Sequence, residues 1–445
     1  MLNNWKTILR LAIPSIASFA SMTVTGTINL IMIGNLGAMA IAIVGVSNIV
    51  MYNVWALFSG IGHTVNYLVA QNYGSGDMDK GLQRTYIALL LGAIAGIFII
   101  LVGFTGTEAI FKLLGSSPEM LSQGNDYLKI RFFAMIFAIF SFTIHGFFRG
   151  IGNTRTPMAA SLLANVVMIF FTYALTYGKM GFPELGLVGA AWALFIGEVV
   201  GLLFTVLMFM KKVKPALMPI VRWAEAKLIS IESFKLGMQE FSKSMAMFVF
   251  TAFVTRLGTN ALAANEIALS IMSFGFMPAA AFGSTATILV GQEIGRRQPA
   301  IAKSMGTQTA IMGSLFIFTL GFVEFVFAEQ IARIYTNEPL VFELTAKLIM
   351  ISAFLQLFDG LYSFYSGGLR GIGDTTFLLR ASLALAWGLF IPLTYLLVFV
   401  LDMSSYGAWI ALYSYLTVCG VTIMVRYYRT DWSTISMTKV KSQAV

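Results

Sequence analysis

Charge is scarce in this chain: 11% of its 445 residues are charged, against roughly a quarter in soluble domains. Cysteine and histidine are scarcer still. The single cysteine, Cys419, excludes an intrachain disulfide and a thiolate metal cluster. The two histidines, His63 and His145, argue against a histidine-rich metal site. The polar stretch Gly74-Ser75-Gly76-Asp77-Met78-Asp79-Lys80 lacks the spaced acidic ligands and closing glutamate of a calcium loop, so it reads as a solvated turn. No nucleophile with a base, and no pair of acids, has the spacing that enzyme chemistry needs.

What fills the chain instead is apolar: 58% of the residues are hydrophobic. Runs such as 87–104, 159–177 and 378–401 approach or exceed the roughly 20 residues that cross a hydrocarbon core of about 30 Å. Their lack of strict alternation makes them helices and not barrel strands. Twelve such segments can be placed, six in each half, so the expected fold is an all-α integral membrane protein. The net charge of +9 does not indicate nucleic acid, because most Lys and Arg fall in the loops on the side that carries both termini. That asymmetry predicts cytoplasmic termini in a multi-pass protein of the inner membrane. The first apolar segment follows Lys6 and Arg10 but runs on to Ile33 with no polar cleavage region, which argues against a signal peptide.

The two halves are copies of one another. Arg149-Gly150-Ile151-Gly152-Asn153-Thr154 recurs 221 residues later as Arg370-Gly371-Ile372-Gly373-Asp374-Thr375. The same offset pairs Leu68-Val69-Ala70-Gln71 with Leu289-Val290-Gly291-Gln292, and Leu36-Gly37 with Leu257-Gly258. These segments are not phosphate-binding loops, since no Gly-Lys-Ser/Thr follows them, and they read as helix ends turned by glycine. Residues 1–210 are expected to form one six-helix lobe and 233–445 the other, with 211–232 a basic cytoplasmic linker carrying Pro215, Pro219 and Arg222-Trp223. Both lobes run in the same membrane orientation, an arrangement that places function where two repeats face one another.

With these motifs in view, the chain resembles the multidrug and toxic compound extrusion (MATE) family of antiporters, and within it the DNA-damage-inducible F branch. The matching residues are Gly34-Asn35-Leu36-Gly37, the segment Gln71 to Gly81, Phe148 through Thr154, Arg256-Leu257-Gly258 and Leu369 through Thr375. The resemblance covers nearly the whole chain. It implies export of amphipathic and cationic drugs by alternating access, driven by protons with no other cofactor, by a monomer in membrane lipid. Sodium-coupled antiport and flipping of a lipid-linked saccharide remain as alternatives.

Charged and polar groups inside apolar helices are the informative positions, since a central charge costs about 2.5–3.5 kcal/mol on insertion scales. Asn29 stands where the family pattern has a proton-binding aspartate; an amide has that acid's shape but cannot titrate, so coupling is expected to be impaired there. Asn165 matches a polar position of the family's amino-terminal pocket, while Ile169 replaces a second aspartate of archaeal relatives. Asp359 has the spacing of the carboxy-terminal cation-site aspartate. Lys243 falls where sodium-coupled relatives carry a glutamate. Lys243 and Asp359 lie at equal depth, so an intramembrane ion pair is expected, with Glu240 one turn away. Met22 and Met32 share the helical face of Asn29 and are candidates for the drug chamber, soft side chains suited to varied ligands. Glu198 reads as a satisfied contact inside its bundle and Glu324 as interfacial.

Overall fold

The structure is a computed structural model that describes residues 2–113, 117–213, 222–335 and 339–438. Among them there is no strand. The helices are α1 (Leu2–Gly34), α2 (Ala38–Ser75), α3 (Met78–Thr105), the short α4 (Thr107–Leu113), α5 (Pro118–Gly150), α6 (Arg155–Tyr177) and α7 (Gly186–Lys212). The second half continues with α8 (Trp223–Thr255), α9 (Thr259–Gly295), α10 (Pro299–Val326), the short α11 (Ala328–Tyr335), α12 (Pro339–Ile372), α13 (Thr375–Leu385), α14 (Ile391–Tyr395) and α15 (Ser404–Arg429). Two π-helical segments, Ala386–Phe390 and Leu396–Val400, join α13 and α14 into one wall that runs on to Val400.

Eleven helical spans among the described residues are long and apolar enough to cross a membrane. The remaining long helix, α8, has 33 residues, about 50 Å at 1.5 Å per residue, and its apolar run is broken by Lys235, Glu240 and Lys243. The protein is therefore an all-α, multi-pass membrane protein built of two repeated bundles, as the sequence predicts. The expected linker lies partly inside helices: residues 211–212 end α7 and 223–232 form the first turns of α8, while Pro215 and Pro219 fall outside the described residues.

Two compact units emerge. The N unit comprises Ala17–Val69 and Asp77–Gly237; the C unit comprises Met1–Ile16, Ala70–Gly76 and Met238–Lys439. Within the N unit a core of Val65, Tyr67, Phe132, Phe147 and Phe148 is almost fully withdrawn from the surface. In the C unit α9 and α12 make the most extensive helix pairing.

The repeated motifs prove to be repeated backbone. At the end of α5 the Gly152 and Asn153 N–H groups donate to Arg149 and Phe148 carbonyls at 2.8 Å each; at the end of α12 Gly373 and Asp374 donate to Arg370 and Leu369 at 2.9 Å each. This is the paired closure of a Schellman cap, and the glycines Gly152 (φ 79°) and Gly373 (φ 84°) supply its left-handed residue. A second repeat-related pair sets close approach. A methyl group on Gly74 would lie 1.9 Å from the Gln292 carbonyl oxygen, and one on Gly295 2.1 Å from that of Gln71. The ends of α2 and α9 thus touch backbone to backbone within the C unit. The Gln71 amide clamps the same region, donating to Gly371 O and accepting from Thr438 N–H, each at 2.8 Å.

Candidate functional site

One buried ion pair lies in the C unit. Lys243 projects from α8, and its Nζ stands 3.2 Å from Asp359 Oδ1 on α12. The side chains are 18% and 7% exposed, respectively. The same ammonium sits over two aromatic faces, 5.1 Å from the Phe276 ring centre on α9 and 4.9 Å from that of Tyr362 on α12. Both distances fall within cation–π range. Tyr362 follows Asp359 by three residues and so shares its face of the helix.

Neighbouring bonds fix this box. Gln239 Nε2 donates to the Tyr362 hydroxyl at 2.9 Å, and Ser382 Oγ donates to the Gln239 carbonyl at 3.1 Å. Trp387, carried on the first π-helical segment, donates from Nε1 to Ser242 Oγ at 3.1 Å, beside Lys243 in the chain. Next to Phe276, a Cβ on Gly275 would lie 1.9 Å from Gln356 Oε1, so the Gln356 side chain of α12 lies against α9 at this glycine. One turn before Lys243, Glu240 accepts from Arg370 at 3.4 Å, a long contact with Glu240 still 27% exposed. Glu324 is a correction to the sequence reading. It is buried at 5% exposure and accepts from Gln356, because α10 and α12 pack directly against one another there.

The N unit has no such charge pair at the equivalent positions. The offset of 221 carries Lys243 to Met22, Asp359 to Ala138 and Glu240 to Phe19. Arg149, the counterpart of Arg370, lies over Phe19 and Phe142 at 5.4 and 5.2 Å where Arg370 meets a carboxylate. Asn29 is buried at 8% exposure, and its Oδ1 has no hydrogen-bond partner among the described residues. Asn165 does not reach it: its Nδ2 donates to Ser21 Oγ at 2.8 Å, two turns away along α1. Met22 is 54% exposed and Met32 half-buried, the Met32 carbonyl accepting from Tyr177 Oη at 2.5 Å. Glu198 is half-buried on α7, and no described group bonds to it.

A separate cavity of about 460 Å³ in the C unit is lined by Trp5, Leu9, Phe282, Met312, Phe316 and Val323. It offers no charge and shares no residue with the Lys243 box. Among the described residues no cluster of His, Cys, Asp or Glu could hold a metal ion.

Sequence reasoning reached Lys243 and Asp359 but missed the two aromatic faces. Tyr362 carried a signal, its three-residue spacing from Asp359. Phe276 carried none, because its place depends on how α9 packs.

Known proteins place this geometry in context. The chain is 27% identical over 415 residues to the probable multidrug resistance protein NorM of Thermotoga maritima, covering 92% of this chain and 88% of that one. It is 26% identical over 444 residues to the multidrug resistance protein PmpM of Pseudomonas aeruginosa, covering 95% and 91%. Its fold matches the outward-facing conformation of a multidrug resistance MATE family transporter of the MOP superfamily, with a TM-score of 0.88, 20% identity and coverage of 96% and 95%. The MatE family profile matches twice, over residues 14–174 and 236–396, once for each copy of the duplicated unit. The chain belongs to the MatE family and is a membrane transporter, not an enzyme.

Proposed function

We propose that this transporter exports amphipathic organic cations in exchange for protons, and that Asp359 with Lys243 forms its coupling pair. The observation that carries the reading is a carboxylate buried inside a membrane helix, neutralised by an ammonium 3.2 Å away and bordered by two aromatic rings. Such a group survives in a membrane only with a partner, and it has three possible ones: Lys243, a cationic cargo or a proton. A proton on Asp359 removes the charge that holds a cation. Binding of cargo and of proton at one carboxylate then exclude each other, which is the requirement for exchange.

Proton entry supplies about 2.3 kcal/mol per charge per 100 mV of membrane potential, plus any pH gradient. Alternating exposure of the site through rocking of the two repeats, with both termini in the cytoplasm, completes the scheme. Asn29 cannot take part in the proton step, so the C unit carries the coupling and the N unit supplies apolar surface such as Met22. Protons are favoured over sodium because, among the described residues, no cluster of acidic side chains that could hold a metal ion surrounds Asp359.

The test uses the full chain in liposomes loaded with a fluorescent lipophilic cation. An imposed pH gradient should drive dye movement in sodium-free buffer, and a protonophore should stop it. Movement that requires a sodium gradient, or no movement of any cationic dye, would overturn the reading.

A further inference from the structure

We infer that the box formed by Asp359, Phe276 and Tyr362 is a recognition site for a monovalent organic cation, and that Lys243 is a tethered competitor occupying it. The inference rests on the export reading and adds how its cargo is selected. A carboxylate flanked by aromatic faces recognises an ammonium or a delocalised organic cation through ionic attraction, cation–π contact and apolar burial together. All three elements are present: Asp359 at 3.2 Å from the bound ammonium, Phe276 at 5.1 Å and Tyr362 at 4.9 Å. The protein's own ammonium fills the place where a ligand's would sit. Phe276 itself is 38% exposed.

Displacing Lys243 requires somewhere for its charge to go. Glu240 lies three residues earlier on α8 and therefore on the same helical face. Its only described ion pair, with Arg370, is long at 3.4 Å, and its side chain is 27% exposed. Glu240 is thus the acceptor to which Lys243 swings when cargo enters. In the N unit Met22, Ala138 and Phe19 occupy the corresponding positions, so the device belongs to one repeat alone. A cargo that displaces Lys243 must carry its own positive charge, because a neutral molecule would leave the buried Asp359 carboxylate without a partner. Charge selection is therefore built into the competitor.

Binding, measured apart from transport, decides the matter. A tetraarylphosphonium and a neutral tetraaryl analogue of the same shape would be titrated into the purified full chain in detergent. In Lys243→Met and in Lys243→Gln, which keeps a donor for Asp359, affinity for the cation should rise about tenfold, the size of one desolvated cation–π contact. Affinity for the neutral analogue should not change. Adding Phe276→Ala to Lys243→Met should remove the gain. Glu240→Gln should weaken cation binding in the otherwise unchanged chain and have no effect once Lys243 is gone. Unchanged or weaker cation affinity in both folded Lys243 variants would overturn the competitor role while leaving dye export standing. If no form of the chain binds the cation, both the box and the export reading fall. Should the lysine variants not fold, Glu240→Gln and Phe276→Ala alone, each expected to weaken cation binding, still refute the inference if both bind normally.

Discussion

Removing either partner of the Lys243–Asp359 pair should cost far more than removing both. Breaking a buried pair costs about 3–5 kcal/mol, because one charge is left in a medium that cannot solvate it. The geometry here places the two single changes at or just below the lower end of that range. In Asp359→Asn the amide oxygen can still accept from Lys243, and the faces of Phe276 and Tyr362 remain. With cation–π contacts worth about 0.5–2 kcal/mol each, the expected loss is about 2–3 kcal/mol. In Lys243→Met the carboxyl can take a proton in place of its partner, which holds that loss to about 3 kcal/mol. The double variant has no charge to solvate and places an apolar chain against two rings, so it should lie within about 1 kcal/mol of the starting protein. The coupling energy of the cycle is then at least about 4 kcal/mol in magnitude. Denaturation of the purified chain by sodium dodecyl sulfate, followed by tryptophan fluorescence, measures all four forms. Additive losses in the double variant would show that the two groups do not hold one another.

Three further outcomes follow from other parts of the molecule. Gly74→Ala or Gly295→Ala would force a methyl group to within 1.9 or 2.1 Å of a backbone oxygen, so each should lose more than about 1–3 kcal/mol, visible as a lower melting temperature; unchanged melting would refute the close packing. Glu225, in the first turn of α8, is raised by its burial, but the charges and hydrogen bonds of Arg84 and Lys80, at 3.0 and 3.2 Å, outweigh that and hold its carboxyl below the ordinary carboxylate value. A lowered folded value means its stabilisation is complete at neutral pH and is lost as pH falls through the acid range; the melting gap between the starting chain and Glu225→Gln should therefore shrink on acidification, and a gap that widens would contradict the assignment. Asn29→Asp places an acid at a buried position whose Oδ1 has no partner among the described residues, and should make dye export steeper in pH; identical pH profiles would remove any proton role from that position.

How much of this was legible in the sequence depends on whether a feature is local. The duplicated Arg-Gly-Ile-Gly segments forecast helix ends, and their caps are the same two hydrogen bonds in both copies, because a left-handed glycine after a helix is decided by a few consecutive residues. Lys243 and Asp359 came from the family resemblance, and their pairing from counting depth along two helices, a one-dimensional measure that holds when helices cross a layer of fixed thickness. Depth says nothing of the burial of Glu324, which is set by the direction in which the side chain faces, toward Gln356. The start of α8 was missed because its charged first turns look like a linker, yet Arg84 and Lys80 on α3 neutralise Glu225 and hold that segment in place. Phe276 was invisible for a related reason: its ring meets Lys243 through the tertiary packing of α9, which no run of consecutive residues specifies.

The most direct test of proton exchange at Asp359 compares gradient-driven with downhill dye movement in liposomes holding the full chain or its Asp359→Asn variant. In the unaltered chain a pH gradient should move a cationic dye against its own concentration gradient. In Asp359→Asn that uphill movement should vanish even when the protein is folded and correctly inserted. Uphill, proton-driven movement persisting in Asp359→Asn would contradict the assignment of coupling to the Lys243–Asp359 pair.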